Sequence, residues 1–226
     1  MNDFSPFIQK ASKINERIKE LLYPRVRCLA CAEERELLEN GLCLDCKEKL
    51  DQDFALLTRP INSAICHGAF AYEETGPAAG LIRRLKFSGI EDCGKVLGEY
   101  CAKAAELLSL DVDLIVPVPI SKRRRYKRGF NQSAIIAAEV SRRLNIPSRE
   151  LIKKKKHTKA QSDLGRDERI TNVIGAYESL DAKNLKILLI DDVLTTGATT
   201  LECRFVLMRS GASRVYILCA ALTPLS

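Results

Sequence analysis

No stretch of this 226-residue chain approaches the roughly 18 consecutive apolar residues that a bilayer-spanning helix needs. Met1 to Ala11 lacks the charged start, apolar middle and small-residue cleavage site of a secretory leader. The two absences together lead us to expect a cytoplasmic protein. Also missing is Gly-x-x-x-x-Gly-Lys-[Ser/Thr], which excludes the phosphate loop of nucleoside triphosphatases. Aromatic residues make up 6% of the chain, and between positions 121 and 160, where cations concentrate, they are limited to Tyr126 and Phe130. Proteins that hold single-stranded nucleic acid by stacking generally interleave more rings with their cations.

Cysteine and positive charge are what the chain does have. Nine cysteines in a reducing compartment are thiols or metal ligands rather than a disulfide framework. Net charge is +7, but positions 121 to 160 hold fourteen Lys/Arg against Glu139 and Glu150, so that span is +12 and the rest of the chain −5. One face is built for anions. The length suffices for one full α/β core and a small second module.

Cys28-x-x-Cys31 and Cys43-x-x-Cys46 are separated by eleven residues. Each pair turns two thiolates toward one point, and four thiolates complete a tetrahedral Zn²⁺ site with no position left for water. A structural zinc is the expectation, with a redox dithiol or an iron–sulfur centre as the other readings. So small a module has too few apolar residues to fold without its metal. Cys66, His67, Cys93 and Cys101 lack partners in sequence and read as core thiols and a surface imidazole.

Residues 1–27 carry Phe4, Phe7, Ile8, Ala11, Ile14, Ile18, Leu21 and Leu22 at helical spacing, which predicts an amphipathic helix packed on its own protein. Residues 28–50 form the ribbon-like cysteine module. Residues 51–63 are polar, interrupted by Pro60, and read as a linker. An α/β domain then occupies 64–226. Its strands are expected at Ala64–Tyr72, Leu114–Pro119, Ile187–Ile190 and Arg214–Ala221, its helices at Pro77–Gly89, Cys93–Leu108, Gln132–Leu144 and Thr200–Arg209. Lys122 to Arg128, six cations in seven residues, follows the Pro117 and Pro119 strand end as an irregular loop. Lys153 to Val173 is polar without apolar period and reads as a flap able to close over a bound ligand.

The stretch from Ile187 to Thr200 organises the domain. Four aliphatics make a strand buried on both faces, Thr195-Thr196-Gly197-Ala198-Thr199 is a tight small-residue turn, and a helix begins beyond it. Such a turn aims backbone N–H groups, the positive end of a helix and threonine hydroxyls at one spot, so it is expected to hold a phosphate. Asp191 and Asp192 stand at the strand end, where carboxylates would accept from hydroxyls such as a ribose diol.

Residue by residue, Ile187 to Thr200 resembles the phosphoribosyl-pyrophosphate signature of type I phosphoribosyltransferases. Together with the two Cys-x-x-Cys pairs, Val116 to Pro119, Arg128-Gly129-Phe130-Asn131-Gln132, Gln161 to Leu164 and Arg169 to Val173, it resembles the ComF/GntX family of late-competence proteins, from about Cys28 to the C-terminus. The resemblance implies a Rossmann-like, mainly parallel sheet behind an N-terminal zinc ribbon. It implies Asp191 and Asp192 on the ribose, Thr195, Thr196, Gly197, Ala198 and Thr199 on the 5-phosphate, and Arg123, Arg124, Arg125 and Arg128 on the diphosphate, with Mg²⁺ accompanying phosphoribosyl pyrophosphate. A transferase of this class attaches a nitrogen nucleophile to C1 of the sugar; no residue here is assignable as catalytic and the acceptor is not encoded. It further implies a role in DNA uptake during natural transformation with a helicase-like partner. A non-catalytic adaptor for single-stranded DNA or a helicase, and a purine-, nucleotide- or gluconate-related phosphoribosyltransferase, are the alternatives.

Overall fold

The computed structural model describes residues 27–155, 173 and 175–223, so the N-terminal helix and most of the flap lie outside the described residues. The element order begins with α1 (Leu44–Asp53), β1 (Leu57–Ile61), β2 (Ala64–Ala71) and α2 (Pro77–Arg83), which runs on as a π-helical turn over Arg84–Ser88. Then come α3 (Glu91–Leu107), β3 (Leu114–Pro117), α4 (Lys122–Arg128) and α5 (Gln132–Leu144). The chain finishes with β4 (Ile152–Lys154), β5 (Tyr177–Ser179), β6 (Lys186–Leu194), α6 (Ala198–Arg209) and β7 (Arg214–Leu222).

Five strands form one sheet in the order β1-β2-β7-β6-β3, parallel throughout except for the antiparallel edge strand β1. Along β6 the side chains alternate. Leu188 and Ile190 enter the apolar cluster that contains α3 and α5, while Ile187 and Leu189 enter the one that contains α6. A strand covered on both sides has to be aliphatic at every position, which is why four consecutive residues are fully buried there. The expected α/β class holds: a mainly parallel sheet with helices on both faces and a four-cysteine module ahead of it.

The stretch read as a linker is structured. α1 continues to Asp53, and β1 pairs with β2 from Leu57↔Gly68 to Ile61↔Ala64. Pro60 is tolerated because an edge strand leaves alternate N–H groups outside the ladder. The basic segment after β3 is likewise a helix rather than an irregular loop: the Ser121 hydroxyl accepts from the Arg124 N–H at 3.2 Å as N-cap, and Gly129, at φ +84°, ends it. Lys153 and Lys154, expected at the start of the flap, belong instead to β4, which pairs with β5.

The cysteine module is packed on the domain. Cys28, Leu42 and Leu50 share an apolar cluster with Leu85, Leu97 and Tyr100. The rings of Phe54, Phe70 and Tyr100 lie 5.0 to 6.2 Å apart, and the Tyr100 hydroxyl donates to Asp51 at 2.8 Å. Gly80 on α2 is required by closeness, because a Cβ there would lie 2.2 Å from the Ala30 carbonyl oxygen.

Candidate functional site

β3 and β6 are parallel neighbours, and the helices that follow them leave in opposite directions: α5 packs with β3 and β6 on one face, α6 on the other. The carboxyl ends of two such strands part into a crevice where ligands of open α/β sheets bind. Asn131 fixes one wall. Its side-chain amide donates to the Val118 carbonyl at 3.0 Å while its oxygen caps α5 by accepting from the Ser133 N–H at 3.2 Å.

The two aspartates differ. Asp191 accepts from the Ser133 hydroxyl at 3.0 Å, the Thr200 hydroxyl at 2.9 Å and the Asp192 N–H at 2.9 Å, tying the first turns of α5 and α6 to the strand between them. Burial pushes its carboxyl up to about 6, the neighbouring Asp192 charge adds to this, and the hydrogen bonds oppose it. Asp191 is thus part of the framework, not a group outside the core. Asp192 reaches Lys86 from the π-helical turn at 3.2 Å and accepts from the Val193 N–H at 2.5 Å.

Beyond Leu194 the chain turns through exposed Thr195, and Gly197, at φ +77°, caps α6. The Thr196 hydroxyl accepts from the Ala198 N–H at 3.4 Å, and Thr199 is half-buried at the start of the helix. All five residues of the expected phosphate turn therefore surround one helix N-terminus. Arg59, from the stretch read as linker, lies under the turn and donates to the Thr195 carbonyl at 2.7 Å.

Helical geometry divides the four arginines of α4. Arg124 and Arg128, four apart, are half-buried on one side, whereas Arg123 and Arg125 are exposed and Arg125 pairs with Glu150 at 3.2 Å. Arg128 donates to the Gln132 side-chain oxygen at 2.9 Å and lies 5.8 Å from the Phe87 ring centroid. Burial lowers the Arg128 pKa, while the Asp192 charge pulls it back up. Lys154 on β4 is also lowered, first by burial and then by the Arg124 charge. Cations from three separate segments thus border one end of the crevice. Lys86, Ser133 and Arg59 carried no sequence signal of this role, because only the fold brings them to the aspartates and the turn.

At the cysteine module the ligand atoms of Cys28, Cys31, Cys43 and Cys46 lie within 4.8 Å of one another, and they are the one group of three or more potential metal ligands among the described residues. The donor set fits a tetrahedral thiolate metal such as zinc. Burial raises the Cys28 thiol, but N–H groups aimed at its sulfur, including those of Cys43 at 3.3 Å and Ala30 at 3.4 Å, outweigh it and bring it to about 7. Peptide dipoles so aimed favour the thiolate that a metal requires. Cys66, Cys93 and Cys101 are buried packing residues, and His67, on β2, meets the Thr58 hydroxyl at 3.0 Å.

No family model matches the chain. Among curated proteins it is 27% identical to competence protein F of Haemophilus influenzae over 218 residues, covering 84% of this chain and 94% of that one. It is 32% identical to the DNA utilization protein YhgH of Escherichia coli over 155 residues, covering 65% of this chain and 68% of that one. Among solved structures it is similar to the glutamine phosphoribosylpyrophosphate amidotransferase of B. subtilis, with 17% identity, 56% of this chain and 26% of that one covered, and a TM-score of 0.41. Among the described residues no helix is long and apolar enough to cross a membrane. With a four-cysteine module, a mainly parallel sheet and relatives of these names over most of its length, the chain belongs to the ComF family of competence protein F and YhgH.

Proposed function

We propose that this protein binds phosphoribosyl pyrophosphate in the crevice between β3 and β6, in the service of DNA uptake or utilization. The observation that carries the reading is the junction of β6 and α6. There a strand ending in Asp191-Asp192 runs through Thr195-Thr196-Gly197 into a helix N-terminus, with Arg128 and Lys86 beside Asp192. In this reading the turn from Thr195 to Thr199 holds the 5-phosphate, Asp192 with Asp191 behind it takes the ribose hydroxyls, and Arg124 and Arg128 face the diphosphate. Arg123 and Arg125 turn away from it and are assigned no part in it. Mg²⁺ favours phosphate oxygens and water over protein cages. Asp191 is already engaged by hydroxyls, so the ion would be carried by the ligand's own oxygens, offsetting their charge. The four cysteines hold zinc as a structural ion.

Titration calorimetry with phosphoribosyl pyrophosphate, with and without Mg²⁺, tests this. Saturable binding strengthened by Mg²⁺ is expected, and no binding under either condition removes the reading. A second reading, an adaptor for single-stranded DNA, is favoured by Tyr126, 95% exposed on the outer side of α4 between Arg125 and Lys127. The two readings use different faces of α4 and are separable. Salt-sensitive oligonucleotide binding that is lost with Tyr126→Ala, but is indifferent to phosphoribosyl pyrophosphate, would put DNA on the outer face. A helicase-like partner belongs to the same proposal.

A further inference from the structure

We infer that Arg59 is a positioning residue that sets the anion-binding geometry of the turn after β6, an inference that rests on reading the turn as a phosphate cradle. Arg59 points inward from edge strand β1 and is 7% exposed. Arginine is seldom so buried without an acid, yet among the described residues no carboxylate pairs with it. Its partners are three carbonyls. One Nη donates to Thr223 at 2.7 Å; the other donates to Thr195 at 2.7 Å and to Leu194 at 3.4 Å. Among the described residues its Nε has no partner either. A buried cation satisfied by main-chain oxygens alone is a poor device for stability, which points to another reason for its presence.

The Thr195 carbonyl supplies that reason. Across a planar trans peptide, C=O and the following N–H point in opposite directions. The Leu194 oxygen is held by Thr223, whose N–H and hydroxyl donate to it at 3.1 and 3.2 Å, whereas the Thr195 oxygen is held by Arg59, which turns the following Thr196 N–H away from the guanidinium. The guanidinium lies behind the Thr195 carbonyl and fixes the peptide whose Thr196 N–H stays free among the described residues. Ile61, two residues on along β1, supports the same turn, since a Cβ on Gly197 would lie 3.0 Å from its Cδ1. The edge strand is the floor of the site.

The test is calorimetric titration with ribose 5-phosphate of wild type, Arg59→Gln, Arg59→Lys and, as a matched control, Leu57→Ala, which perturbs the same strand without touching the turn. Expected is about tenfold weaker binding for Arg59→Gln, the scale of one lost charge-assisted contact, and a several-fold loss for Arg59→Lys, whose ammonium lacks the fork. Leu57→Ala should bind as wild type does, whatever its melting temperature. The Thr196 amide resonance should shift in Arg59→Lys and not in Leu57→Ala. A folded Arg59→Gln that binds as wild type does overturns the inference; if that variant does not fold, wild-type affinity in Arg59→Lys overturns it. If the wild type itself fails to bind ribose 5-phosphate, the phosphate reading is what has failed.

Discussion

The four-cysteine module and the crevice between β3 and β6 use the same groups, backbone N–H donors beside ionisable side chains, to opposite ends. In the module the donors close inward: the N–H groups of Ala30 and Cys43 point at the Cys28 sulfur, and the four ligand atoms converge. In the crevice they stay open, since the Thr195 and Thr196 N–H groups have no acceptor among the described residues. A site whose donors are all engaged is a staple. One that keeps donors free at a helix N-terminus has the electrostatics of an anion site.

That contrast is most sharply tested by breaking the staple. Cys43→Ser is expected to lose bound zinc by metal analysis. It should also lower the melting temperature by on the order of 10 °C or more, as several kcal/mol would do in a chain of this size. Unchanged zinc content and melting would show that the thiolates hold nothing. Within the crevice, the two aspartates should part company. Asp192→Asn should leave melting nearly unchanged and weaken phosphoribosyl-pyrophosphate binding by roughly 1.5–3 kcal/mol, the range for a charged hydrogen-bond partner. Asp191→Asn should cost roughly 1–3 kcal/mol of stability, because it disturbs acceptors for the Ser133 and Thr200 hydroxyls. Its titration has a definite sign. With its folded pKa raised to about 6 from 3.8, the folded state binds the extra proton between those values. Wild-type stability therefore declines as pH rises through that window and levels off above it, and the decline should vanish in Asp191→Asn. The smallest contrast lies along α4. Arg128→Ala should weaken ligand binding measurably, whereas Arg125→Ala, which breaks only an exposed pair with Glu150, should change it by no more than about 0.5 kcal/mol.

The local parts of both sites were legible in the sequence. Cysteine spacing states its own geometry, and a strand, small-residue turn and helix start within fourteen residues leave little freedom, so Ile187 to Thr200 reads almost directly as β6, turn and α6. What the sequence hid is what the sheet brings from afar. Arg59 is 136 positions from Thr195, and Lys86 meets Asp192 only because the π-helical turn lies over the crevice. β1 was obscured because an edge strand with an arginine and a proline has no apolar alternation to reveal it. The helix α4 was hidden for a different reason: six cations suppress any amphipathic signal, and only the Ser121 cap and Gly129 stop give it away.

The contact between Gly80 and the Ala30 carbonyl limits how this architecture can be rearranged. A ribbon joined only by a tether could be exchanged among proteins as a cassette. Here the acceptor helix must lack a side chain at one position, and Arg84, four residues on, donates to the Cys28 carbonyl at 3.1 Å. Grafting the module elsewhere, or substituting even alanine at position 80, would separate surfaces made for one another. The module and the sheet are two names for a single inheritable part.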